Sequence, residues 1–174
     1  KAMGVRCSDD GKLDSKLDAH FQSALLYTTA SGQRRVRCSN VIASVTETSK
    51  ESGAREQGIR ECLKFVDQDA VIGMLAKEAS TKLATTSSNL KDIRHWLSEK
   101  AIDVLACYRK HAAQQHPPGQ LVMPERLKEY CMYLLGLLKC RALKGGVENS
   151  DRRVHEMRML RSMGALELSL YLYP

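Results

Sequence analysis

Leu90-Lys-Asp-Ile-Arg-His-Trp-Leu-Ser-Glu-Lys-Ala-Ile-Asp-Val-Leu-Ala-Cys-Tyr108 is the stretch that decides the fold class. Leu90, Ile93, Leu97, Ala101, Val104, Leu105 and Tyr108 recur at steps of three and four, which places them on one face of a helix. Ser88 or Asn89 can cap its start, and Pro117-Pro118-Gly119 forbids its continuation. A long amphipathic helix of this kind must lay its apolar stripe against other helices or a sheet.

The flanking sequence supplies such helices. Upstream, Ile72, Leu75, Ala76, Ala79 and Leu83 keep the helical spacing, with Asp67 or Asp69 as the cap, and Thr85-Thr-Ser-Ser88 breaks the run. Downstream, Pro124 suits the first turn of a third long helix. Its stripe is Leu127, Cys131, Leu134, Leu135, Leu138 and Ala142, and Gly145-Gly146 stops it. Ser150 then caps a shorter helix running to about Met163. From Leu166 to Tyr173 leucines alternate with polar or aromatic residues, which reads as a strand. A strand at the end of the sequence with no later partner suggests an internal piece of a longer protein.

The first third reads differently. Residues 19–29 are rich in aromatic and β-branched side chains, Ala30-Ser31-Gly32-Gln33 supplies a turn, and a second strand runs from Arg34 to about Thr46. Two strands alone are marginal in water, so this hairpin needs a larger sheet or the helices to pack against. Alternation puts Arg35 and Arg37 on one face, with Val36 and Cys38 turned the other way toward a core. Thr46 to Ala54 is polar, small and aperiodic, and reads as the linker to the helices. The fold class is therefore mainly α with a minor β part.

Composition narrows the function. Of 174 residues 43% are hydrophobic, enough for a core, while no apolar run reaches the roughly 18 residues of a membrane helix. The six cysteines include no Cys-x-x-Cys pair, and most fall in apolar rows, as expected of reduced thiols in the cytosol. Cys131 and Cys140 read as core or boundary residues. Histidines lack ligand spacing, and His155-Glu156 has no second histidine, so it reads as a solvated pair on a helix. Nothing resembles a nucleophile with its base, so catalysis is not expected. A net charge of +7 favours acidic partners, but aromatics at 5% and the absence of basic runs interleaved with stacking residues argue against nucleic acid. Arg152, Arg153, Arg158 and Arg161 form a basic strip on one short helix. It reads as a solvated face, or as a contact for a membrane or partner.

One ordered set of strings carries a family resemblance. Phe21-Gln-Ser-Ala-Leu-Leu-Tyr-Thr-Thr29 followed by Gly32-Gln-Arg-Arg-Val-Arg37 resembles the cargo-adaptor subunit of the COPII vesicle coat, the Sec-twenty-four family. Ile102-Asp-Val-Leu-Ala-Cys-Tyr-Arg-Lys110, Gly119-Gln-Leu-Val-Met-Pro-Glu125, Leu138-Lys139, Ser150-Asp-Arg152 and Leu172-Tyr-Pro174 continue the match in order. Phe65-Val-Asp-Gln-Asp-Ala70 and Arg94-His-Trp-Leu97 lean toward the related Sec-twenty-three, GTPase-activating subunit of the same coat.

The resemblance implies a fragment with the end of a β-sandwich over 1–50, an all-helical domain over 51–164 and the first strand of a gelsolin-like domain over 165–174. The family's zinc finger would lie outside it, leaving no cofactor here. The implied work is binding sorting signals for ER-to-Golgi transport, without enzymatic activity, at the cytoplasmic face of the ER membrane and on COPII vesicles. The implied partners are the GTPase-activating subunit of the inner coat, acidic signals on cargo tails and the ER membrane surface. Carried over by position, Arg35 and Arg37, with Arg34 as a neighbour, would form the cargo-signal pocket. The alternatives are the GTPase-activating subunit itself, or a structural scaffold whose basic surface faces a membrane or partner.

Overall fold

Alternating side chains and a glycine-bearing turn make the first third of the chain a hairpin, and helical periodicity makes the rest a bundle. The computed structural model describes residues 13–45, 52–85, 89–114, 116–117 and 119–173. They divide into two compact units, with the boundary between Gly58 and Ile59.

The hairpin pairs β1 (Asp18–Thr28) with β2 (Arg34–Ser44) in an unbroken antiparallel register from Asp18 opposite Ser44 to Thr28 opposite Arg34. Gly32 takes φ 82°, a conformation that side chains with a Cβ avoid, and its amide donates to Thr29 O at 3.0 Å. The expectation that Val36 and Cys38 face a core is not met within this chain. Val36 is 61% exposed and Cys38 is exposed, because a two-stranded sheet has no second layer to cover either face. Of the expected linker, residues 46–51 lie outside the described residues. Its last part is helical instead, since α1 spans Ser52–Leu63.

The second unit is built around α2 (Gln68–Thr85), which meets α3 (Leu90–His111), α4 (Tyr130–Lys139), α5 (Ser150–Ser162) and α6 (Ala165–Leu172). Asp67 caps α2, accepting from the amides of Asp69 and Ala70 at 3.0 and 3.1 Å. Asn89 caps α3 through Asp92 N at 2.9 Å. Asn149, rather than Ser150, caps α5. The core comes from Ile72, Ala76 and Ala79 of α2, Ile93 and Leu97 of α3, Leu134 and Leu137 of α4, Leu160 of α5 and Leu168 of α6. Ser80 is fully buried among them, its hydroxyl satisfied by Ala76 O at 2.8 Å.

Two expectations are corrected here. The third helix does not run from Pro124 to Gly145. Glu125–Leu127 is a short 3-10 turn, α4 begins at Tyr130, and the backbone turns extended at Cys140. The buried row is therefore Leu127, Tyr130, Leu134 and Leu137, while Cys131 and Leu135 face solvent. Tyr130–Lys139 is apolar on nearly every side, so periodicity alone does not choose its buried face. Arg94 fixes the end of α4 by donating to the carbonyl of Leu138 in its last turn and to that of Leu143 in the turn that follows.

The strand expected to open a gelsolin-like domain over 165–174 is not formed among the described residues. Ala165–Leu172 is helix α6, with Leu168 and Leu172 buried and Leu166 and Leu170 exposed. Four leucines two apart satisfy a strand, but every second pair is also spaced as one helical turn. Ala, Leu and Glu favour the helix, and Gly136 of α4 leaves room for Leu172 to settle.

Candidate functional site

Register determines which residues of the hairpin share a face. Arg35 stands opposite Tyr27 and Arg37 opposite Leu25, so all four project from one side, with Phe21 and Val41 further along the same side. Arg34 pairs with Thr28 and therefore projects from the other face, beside Leu26 and Val36. Of the three arginines marked by the sequence, the structure brings Arg35 and Arg37 together and separates Arg34 from them. The same period-two count that joined Arg35 to Arg37 excludes Arg34.

Both side chains are held lightly. Arg35 Nη2 donates to Gln33 Oε1 at 2.9 Å, and the Arg37 guanidinium lies 5.9 Å from the centre of the Tyr27 ring, a cation–π contact across the strands. Among the described residues no carboxylate pairs with Arg34, Arg35 or Arg37. Two guanidinium groups with Cα atoms about 7 Å apart, neither neutralised, can each take a carboxylate in bidentate fashion.

The remaining candidates disperse. His155 is exposed, but Glu156 is not the solvated partner expected of it. It turns inward to accept the Tyr171 hydroxyl at 2.8 Å, with Arg141 3.7 Å away. Burial first, and this bond second, push the Tyr171 phenol well above its ordinary range. Sequence reasoning missed this group because its partners are distant in sequence, Tyr171 on α6 and Arg141 in the turn after α4. Cys38, Cys62, Cys107 and Cys131 are exposed rather than apolar-row core, and Cys140 is half-buried, its thiol pushed up by burial. Cys7 lies outside the described residues. Among those residues no group of side chains could hold a metal ion, and no helix is long and apolar enough to cross a membrane. A cleft of about 450 Å³ opens between the end of α1 and the second half of α3, lined by Leu63, Val66, Val104 and Tyr108.

An antiparallel hairpin followed along the chain by a helical bundle centred on α2 defines the class of fold, mainly α with a minor β part. The sequence pattern of the Sec23/Sec24 helical domain matches residues 67–170, and the chain belongs to that family. It is 33% identical to human protein transport protein Sec24D over its whole length, covering 16% of that protein. It is 31% identical to human Sec24C over its whole length, covering 15%, and 29% identical to SED5-binding protein 3 of Saccharomyces cerevisiae, 99% of this chain against 17% of that one. The chain thus spans about a sixth of the length of these relatives. The crystal structure of the human COPII-coat protein Sec24c superposes on 94% of this chain and 20% of its own, with a TM-score of 0.75 at 30% identity.

Proposed function

We propose that this chain is part of the cargo-selecting subunit of the COPII coat, acting in ER-to-Golgi transport by binding rather than catalysis. Membership of the Sec23/Sec24 family and likeness to proteins named for protein transport support the coat assignment. In this reading the helical unit is a structural brace, and the Arg35–Arg37 face of the hairpin receives acidic sorting signals. The GTPase-activating subunit of the inner coat is the structural partner, at the cytoplasmic surface of the ER membrane.

The observation that carries the reading is the pairing of Arg35 and Arg37 on one open face without a carboxylate partner among the described residues. The test is titration of a fluorescent di-acidic tail peptide against the intact protein. Replacing both residues, Arg35→Glu with Arg37→Glu, is expected to weaken binding about tenfold or more, since charge-assisted bidentate bonds become repulsions. Arg34→Glu, on the opposite face, is expected to change it far less. Equal losses from the two variants, or no loss from the first, would reject the site.

A further inference from the structure

We propose that the outward face of α5 is a docking surface for an acidic amphipathic helix of a partner protein, a site separate from the hairpin and independent of its role. Most cations around α5 are already engaged. Arg153 donates to the carbonyls of Ala142 and Lys144 at 3.0 and 3.1 Å, closing the turn after α4. Arg141 lies 3.7 Å from Glu156, while Lys144 and Arg152 approach Glu148 at 2.9 and 4.0 Å.

Arg158 and Arg161 differ. Both are exposed, and among the described residues neither has a carboxylate or carbonyl partner. They stand three apart on the helix, which sets their Cβ atoms about 5–6 Å from each other. Two carboxylates one turn apart on a facing helix have the same spacing, and a guanidinium grips a carboxylate through two parallel bonds.

The same face carries apolar groups. Val154, 49% exposed, stands one turn before Arg158 and two before Arg161 in a single row, and Met159, 39% exposed, lies in the next row with His155. One exposed aliphatic residue is ordinary. Val154 within the arginine row, and Met159 at the edge of the exposed face on the Arg158 side, make with the two arginines a mixed surface, about 10 Å long over two turns, that complements aliphatic and acidic side chains at helical spacing.

A lipid surface fits less well. Helices that lie in a membrane interface bury an apolar face in the acyl boundary. The apolar face of α5, Met157 and Leu160, is already occupied in the core. Its outward face carries no Trp, Tyr or Phe.

The test uses the 174-residue chain and a synthetic peptide about 16 residues long, with leucines at helical spacing flanked by glutamates. A scrambled peptide of the same composition is the control, as are vesicles of phosphatidylcholine and phosphatidylserine at roughly 3:1. Binding is read by NMR shift mapping and anisotropy. The ordered peptide is expected to move resonances along α5. Arg158→Glu with Arg161→Glu is expected to weaken binding about tenfold. Val154→Ser with Met159→Gln, which keeps every charge, is expected to weaken it about threefold. These positions are exposed, and circular dichroism checks that each variant folds. Lys91→Glu with Lys110→Glu on α3 makes the same charge change elsewhere and is expected to leave binding unaltered. Equal binding of the scrambled peptide, an equal loss in the α3 variant, arginine-dependent binding of vesicles but not peptide, or no binding at all would each overturn the proposal.

Discussion

At the scale of single residues, Tyr171 shows how placement changes chemistry. Its hydroxyl donates to Glu156 across the α5–α6 junction, and burial followed by that bond raises its pKa, so the phenol ionises less readily than a free one. The unfolded chain releases a tyrosine proton near pH 10, whereas the folded chain still holds it. This stabilisation is therefore complete below about pH 10 and is lost as pH rises toward the folded value. Tyr130 and Tyr133 shift the same way through burial. Tyr171→Phe is thus expected to remove part of the alkaline sensitivity, and to lower stability at neutral pH by about 1 kcal/mol for the lost bond. Urea melts at neutral and alkaline pH check both, and an unchanged alkaline slope would contradict the account. Arg35 and Arg37 were legible from alternation alone, because strand geometry acts within two residues. Glu156 was not, because its partners lie 15 residues away in each direction.

At the scale of elements, α4 and α6 depend on each other. Gly136 sits beneath the last turn of α6, and a Cβ there would meet Leu172 C at 3.1 Å and its Cβ at 3.3 Å, with Leu172 O closer still. Gly136→Ala is expected to push α6 away and destabilise the bundle by about 2 kcal/mol, despite alanine's better helix propensity. Thermal melts measure the loss, and a neutral or stabilising effect would mean that α6 does not bear on α4 there. This contact also explains the misread end of the sequence. Leu166 to Leu172 satisfies both a two-residue and a four-residue period, and the pocket beside Gly136 selects the helix. The caps of α2 and α3 were readable to within two candidate residues each, of which the structure uses Asp67 and Asn89, and the stripe of α3 was readable since it rests on residues within one or two turns.

For the molecule as a whole, the two units are expected to differ in stability. The bundle encloses a continuous core, while both faces of the hairpin are open. Hydrogen exchange on the 174-residue chain is expected to show strong protection in α2, α3 and α4 and little across β1 and β2, since an isolated hairpin is only marginally stable. Comparable protection of the strands would show that the hairpin is stable by itself. An intact protein that covers the hairpin should slow its exchange selectively. Sequence by itself determined the hairpin and its turn, the helical character of the middle of the chain and the shared face of Arg35 and Arg37, because turn chemistry and side-chain periodicity act over a few residues. Tertiary structure alone decided the buried face of α4, the helical state of α6, the inward turn of Glu156 and which arginines of α5 stay unpaired. Those outcomes depend on free energies of contact between segments distant in sequence, and no local pattern contains them.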